Sequence, residues 1–141
     1  MIVLDTNVIS EMLRVVPSSE VARWVTAQPA PALYTTAVTE AEIRVGVSMM
    51  PTGKRKAQLQ ATVDQTFIQV FAGRILPFDS AAAVVYAEIS ANRRSMGRPI
   101  SPFDAQIAAI TRANGAVAIV TRNVDDFANT GVTVINPWSD A

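Results

Sequence analysis

The sequence contains neither cysteine nor histidine, and together these absences remove most hydrolytic chemistries. Without cysteine there is no disulfide, no thiolate nucleophile and no zinc–sulfur site. Without histidine there is no Ser-His-Asp triad, no imidazole base and no histidine-bound metal. An excess of charge of one sign is also missing. The 12 Lys and Arg balance 12 Asp and Glu, so the total does not mark a nucleic-acid binder. Apolar stretches such as residues 81–87 and 116–120 fall far short of the roughly 20 residues a membrane span needs. Met1 runs straight into Ile2-Val3-Leu4-Asp5 with no basic region and no cleavable signal, so a cytoplasmic protein with no membrane partner is expected.

What is present is enough for a real core. Half of the 141 residues are hydrophobic and 17% are charged, which suits one globular domain over 1–141. Its chemistry must rest on carboxylates, hydroxyls, amides, Lys and Arg. Any metal would sit among oxygen ligands, which points to Mg²⁺ or Mn²⁺. The basic residues cluster as Lys54-Arg55-Lys56, Arg93-Arg94 with Arg98, then Arg112 and Arg122. Each cluster reads as a solvated helix face, although a zero total is compatible with a basic rim around an acidic centre.

Ile2-Val3-Leu4 reads as a buried strand ending at Asp5, followed by a helical pattern through Leu13. Pro17-Ser18-Ser19-Glu20 opens a second helix, and Leu33-Tyr34-Thr35-Thr36 a second strand. A third helix is expected from Thr39 to about Met50, stopped by Pro51-Thr52-Gly53, and a fourth over 54–71. Residues 74–78 form a short strand-like link. Asp79-Ser80 caps a helix to Met96, ended by Gly97 and Pro99, and Ser101-Pro102 opens one to about Asn114-Gly115. Residues 117–120 and 132–135 are the last strands. Near-continuous apolar strands alternating with helices imply an α/β fold with a parallel sheet covered on both faces.

Such sheets bind ligands beyond the carboxyl ends of their strands, where three segments deliver acids or amides. Asp5 follows the first strand, Glu40 and Glu42 follow the second, and residues 121–126 follow the fourth apolar run. On the third helix, Val38, Ala41, Val45, Gly46 and Met49 form an apolar stripe into which Glu42 points. Glu40 lies four residues before Arg44, as for a surface ion pair. Two local alternatives stand beside a site. Thr39-Glu40-Ala41-Glu42 and Ser101-Pro102-Phe103-Asp104 both match a capping box, and Asp5 suits a turn before a helix. Asp79 and Asp64 read as a cap and a surface residue. Converging carboxylates repel by about 1 kcal/mol per pair at 4 Å in water. They need raised pKa values or a bound cation.

In order along the chain, Asp5-Thr6-Asn7-Val8-Ile9-Ser10-Glu11, Ala41-Glu42-Ile43-Arg44-Val45-Gly46-Val47, Leu76-Pro77-Phe78-Asp79, Asp104-Ala105-Gln106-Ile107, residues 120–127 and Val134-Ile135-Asn136-Pro137-Trp138 resemble the PIN-domain ribonucleases. The likeness is to the VapC-like toxins, including the FitB-type branch. The resemblance implies a three-layer fold whose parallel sheet has four or five short strands. It implies a Mg²⁺- or Mn²⁺-dependent endoribonuclease, the toxin of a toxin–antitoxin pair. Asp5, Glu42 and Asp104 would be the acidic core. Asp5 and Asp104 would be the principal metal ligands, with Glu42 completing the site or orienting water. Thr6 and Thr121 would supply hydroxyls, and Asn7 would brace the first loop. Asn123 stands where the family often has a fourth acid, so Asp126, or else Asp125, is the candidate substitute. Implied partners are RNA, a DNA-binding antitoxin seated near the helix of Arg44, Met49 and Met50, and a second copy in a homodimer or larger assembly. A catalytically silent PIN-like module is the alternative that Asn123 leaves open. A haloacid-dehalogenase-type phosphatase would want a second aspartate where Asn7 stands. A plain nucleotide-binding domain lacks its Gly-rich loop.

Overall fold

The computed structural model describes residues 1–139. Its sheet is built from five short strands: β1 (Ile2–Leu4), β2 (Leu33–Thr36), β3 (Ile75–Leu76), β4 (Ala118–Val120) and β5 (Val134–Ile135). All pairings are parallel and the order is β3-β2-β1-β4-β5. The expected three-layer arrangement is therefore present, with the larger of the two expected strand numbers. Neighbouring strand residues face opposite layers, as the two-residue pleat requires. Leu4 and its register partner Val120 join the core under α1 (Thr6–Met12), α2 (Ser19–Thr26), α3 (Ala37–Ser48) and α4 (Lys54–Gln65). Ile119, one residue away, joins Ile89 of α5 (Ser80–Ser95) and Ile107 and Ile110 of α6 (Pro102–Ala113) on the opposite face. Among the described residues no helix is long and apolar enough to cross a membrane.

The strand order carries the functional consequence. From β1 the chain moves outward through β2 to β3, then crosses back to enter β4 on the other side of β1. The reversal opens a crevice beyond the carboxyl ends of β1 and β4, the usual ligand position in such sheets.

Most helix limits follow local chemistry. Ser18, Asp79 and Ser101 cap α2, α5 and α6, and Pro102 takes the first position of α6. Gly97, at φ 70, accepts the left-handed turn that ends α5. The helix expected over 54–71 is continuous but closes in a π turn, Thr66–Val70. There the Phe71 N–H donates to the Thr66 carbonyl at 2.9 Å, and Phe67 and Phe71 both enter the core.

Helix α3 departs from expectation in two ways. It starts at Ala37, with the Thr36 hydroxyl accepting the Thr39 N–H at 3.1 Å. The cap thus lies three residues earlier than Thr39, and Glu42 has no capping duty. The apolar stripe is also rotated: Val38, Thr39, Ile43 and Val47 are buried, whereas Val45 is 55% and Met49 80% exposed. This helix is apolar on more than one side, so periodicity alone does not select the inward face. The packing predicts that Ile43→Ala costs about 2–5 kcal/mol in urea unfolding, whereas Met49→Ala stays within about 0.5. Equal effects would contradict this phase.

Candidate active site

Asp5 is the first residue beyond β1, and its N–H still donates to the Val120 carbonyl at 2.9 Å. It is both the N-cap of α1 and a crevice residue, so the two readings of Asp5 coexist. Its Oδ1 accepts the Thr6 N–H at 2.8 Å, and Oδ2 accepts the Thr121 hydroxyl at 2.7 Å and the Asn7 side-chain amide at 3.4 Å. The Thr121 oxygen accepts in turn from the Asn7 amide at 3.1 Å and the Asn123 N–H at 3.0 Å. Asn7 Oδ1 takes the Arg122 N–H at 3.2 Å. These bonds lock the ends of β1 and β4 together.

Glu42 arrives from α3. Its Oε1 accepts the Thr6 hydroxyl at 2.8 Å, and the Thr6 oxygen lies 3.0 Å from that of Thr39. Because the single Thr6 proton goes to the carboxylate, Thr39 is the donor to Thr6. Asp104 sits in the first turn of α6, where its N–H donates to Ser101 Oγ at 3.3 Å. One half of that capping motif is thus present, and the carboxyl group is half-buried.

Asp5, Glu42 and Asp104, from positions far apart in the chain, line one cleft of about 560 Å³ with Thr6, Asn7 and Asn123. Asp5 is 3% exposed. Burial pushes its carboxyl from the ordinary 3.8 up to about 6, against the hydrogen bonds from Thr121 and Thr6; the charges of Asp104 and Glu42 push it further up. Burial also raises Asp104. Ser101 opposes that rise by hydrogen bonding, Asp126 adds to it, and Arg93 draws it down. None of the three acids forms a salt bridge among the described residues. Nor, among them, are three such side chains drawn tightly enough to hold an ion directly. The acids converge without touching.

The remaining candidates separate. Asn123 lines the cleft. Asp126 and Asp125 line an adjoining depression on the outer side of the 3₁₀ turn Val124–Phe127, although the Asp126 charge still reaches Asp104. Thr121 is buried behind Asp5 as a support. Glu40 bridges Arg44 at 2.7 Å as expected, and Asp64 takes the other side of the same guanidinium at 2.7 Å.

Arg93 is a correction. It is no solvated helix residue but 5% exposed. Its Nε donates to the Arg98 carbonyl at 2.7 Å, and its Nη1 to the carbonyls of Asp126 and Ala128 at 2.9 and 2.8 Å. It therefore pins the segment that follows the cleft. No pattern in the neighbouring sequence signals this, because its acceptors, the carbonyls of Arg98, Asp126 and Ala128, all lie outside α5. A second cleft of about 550 Å³, between α1, α3 and α4, shares Thr6, Ser10, Arg14 and Glu42 with the first.

Residues 2–132 match the PIN domain family. The chain is 41% identical to the VapC ribonuclease Y4jK of Sinorhizobium fredii, over 100% of both chains. It is 40% identical to the toxin FitB of Neisseria gonorrhoeae, over 99% of this chain and 100% of that one. The crystal structure of FitAcB from Neisseria gonorrhoeae superposes with a TM-score of 0.92 at 40% identity, covering 99% of each chain. The chain belongs to the PIN-domain family, within its VapC- and FitB-like branch.

Proposed function

We propose that this protein is an endoribonuclease that uses Mg²⁺ or Mn²⁺, and that it acts as the toxin of a toxin–antitoxin pair. The observation that carries the reading is the shared cleft: the carboxylates of Asp5, Glu42 and Asp104 face one space, and among the described residues no basic side chain bridges any of these three. The identity of the relatives supports the substrate class and the toxin role.

The donor set fits such an ion. Every donor is oxygen or amide, and a hard cation prefers oxygen. Mg²⁺ keeps several waters and takes only one or two carboxylates directly, which suits acids that converge without closing on one another. Asp5 and Asp104 would hold it, with Glu42 acting through water and Asn123 offering its amide oxygen as the fourth position. Asp126, one depression away, would contribute field more than contact. A bound divalent ion polarises a phosphodiester and makes water a nucleophile near neutral pH. The chain's own part is positional. Thr121 and Asn7 hold the Asp5 carboxylate, Thr6 turns Glu42 toward the cleft, and β1 and β4 hold these groups on a rigid edge. The second cleft, continuous with the first through Thr6, Ser10, Arg14 and Glu42, is where an antitoxin segment would lie. A homodimer, alone or paired through antitoxin, completes the reading.

Purified protein should cleave single-stranded RNA in Mg²⁺ or Mn²⁺ and stop in EDTA. Asp5→Asn should abolish cleavage, measured on a labelled RNA by gel, while keeping a cooperative thermal transition. Cleavage that survives EDTA sinks the metal reading, and a variant that unfolds makes Asp5 structural.

The raised pKa of Asp5 gives a second expectation. Its folded value lies above its unfolded one, so the contribution is fully present below about pH 4 and lost as pH rises through about 6. A rise from 3.8 to about 6 corresponds to about 3 kcal/mol. In EDTA, wild-type stability from urea melts should fall between pH 4 and 7 relative to Asp5→Asn by up to that amount, and Mg²⁺ at pH 7.5 should recover it. Parallel pH profiles for the two proteins would rule this out.

A further inference from the structure

At the rim of the acid cleft stand Arg122 and Trp138, whose side chains make no hydrogen bond to the acids among the described residues. Arg122 lies two residues beyond β4 and Trp138 three beyond β5, so adjacent parallel strands deliver them to the same edge. Both line the cleft of Asp5, Glu42 and Asp104. The Arg122 guanidinium carbon stands 5.0 Å over the Trp138 ring centroid. The Arg122 backbone is fixed by its bond to Asn7, at 3.2 Å. Trp138 is held by its own N–H on Asn136 Oδ1 at 2.9 Å and by packing against the core under α1 and α2. The platform is built.

Its charge is oddly placed for a structural role. A guanidinium beside mutually repelling carboxylates would ordinarily bridge one of them, because a charge-assisted fork is its strongest contact. Arg122 bridges none among the described residues. Cation–π attraction to the indole holds the guanidinium carbon 5.0 Å from the ring centroid. That leaves its N–H edge for an anion with two oxygens. The nearest anion a nuclease cleft receives is the backbone of its substrate.

We propose that Arg122, held over the Trp138 ring, is a phosphate-binding residue that grips single-stranded RNA beside the bond to be cut; this rests on the nuclease reading above. The platform lies to one side of the acids, so it binds a neighbouring phosphate and leaves the scissile one to the carboxylate centre. Trp138 keeps the cation from collapsing onto the acids when no RNA is present.

The test uses Asp5→Asn protein, which binds without cutting, and a short fluorescein-labelled single-stranded RNA followed by anisotropy at several salt concentrations. Adding Arg122→Ala should weaken binding about ten-fold and reduce the salt slope of log K by about one. Arg122→Lys keeps the charge but loses the planar fork, so it should keep the slope and bind only a few-fold weaker. In a Trp24→Phe background, where Trp138 is the only tryptophan of the two left, RNA should perturb its emission, and Arg122→Ala should remove that response. Unchanged affinity and slope in a folded Arg122→Ala protein overturns the platform alone. If that same variant loses affinity for polyglutamate, the rim faces an acidic polypeptide instead. Failure of the Asp5→Asn protein to bind RNA at all overturns the nuclease reading, and the platform with it.

Discussion

A carboxylate buried at the end of the central strand is the constraint around which this molecule is arranged. Asp5 follows β1, beside the point between β1 and β4 where the strand order reverses and a crevice opens. Once there it is enclosed, and an enclosed carboxylate without partners costs several kcal/mol. The structure meets that cost with neutral donors: a hydroxyl from Thr121, an amide from Asn7 and the Thr6 backbone. Thr121 and Asn7 also tie the end of β4 to the end of β1, so satisfying Asp5 and joining β1 to β4 are one event. Among the described residues no buried side-chain nitrogen or oxygen is left without a hydrogen bond.

Neutral donors hold a charge in place but do not cancel it. The field of Asp5 therefore persists in the cleft, and Glu42 and Asp104 add to it. Arginines stand close by and are all engaged elsewhere. Arg14 is with Glu11 at 3.3 Å, Arg93 is on backbone carbonyls, and Arg122 is on Trp138. A chain of zero net charge thus keeps an acidic centre, free of ion pairs to Asp5, Glu42 and Asp104 among the described residues, beside Arg14 and Arg122. The separation is maintained by hydrogen bonds and an aromatic ring, and distance alone would not preserve it.

The sheet, its parallel sense and the acids at its edge were legible in the sequence because they rest on local rules. Three-residue apolar runs ending in Asp5 or Thr121 admit few other readings, and the caps at Ser18, Asp79 and Ser101 declare themselves by residue type. Helix α3 was less legible. Ala41, Val45 and Met49 compete with Thr39, Ile43 and Val47 for the inward face, and packing on α1 and α4 decides between them. Misplacing the cap at Thr39 made a capping role for Glu42 plausible, whereas Thr36, three residues earlier, does that work. Arg93 was hidden for another reason: its partners are carbonyls, and every residue has one. Which carbonyls gather around a guanidinium is a property of the whole fold, beyond any pattern in the neighbouring sequence.

The same geometry bears on the fourth position that the proposed reading gives to Asn123. Thr121 is drawn inward by Asp5, and its oxygen takes the Asn123 N–H at 3.0 Å, which directs the backbone at 123 along the cleft wall. A carboxylate at 123 would bring one more negative charge beside an Asp5 whose pKa already stands at about 6. An amide there keeps an oxygen donor and omits the repulsion. Asp126 stands on the next turn, and its backbone carbonyl accepts from Arg93 at 2.9 Å. From there its charge reaches Asp104, while its side chain opens to the adjoining depression. In the proposed reading the oxygen donor would then come from Asn123 and the charge from Asp126, whose backbone carbonyl is held by Arg93.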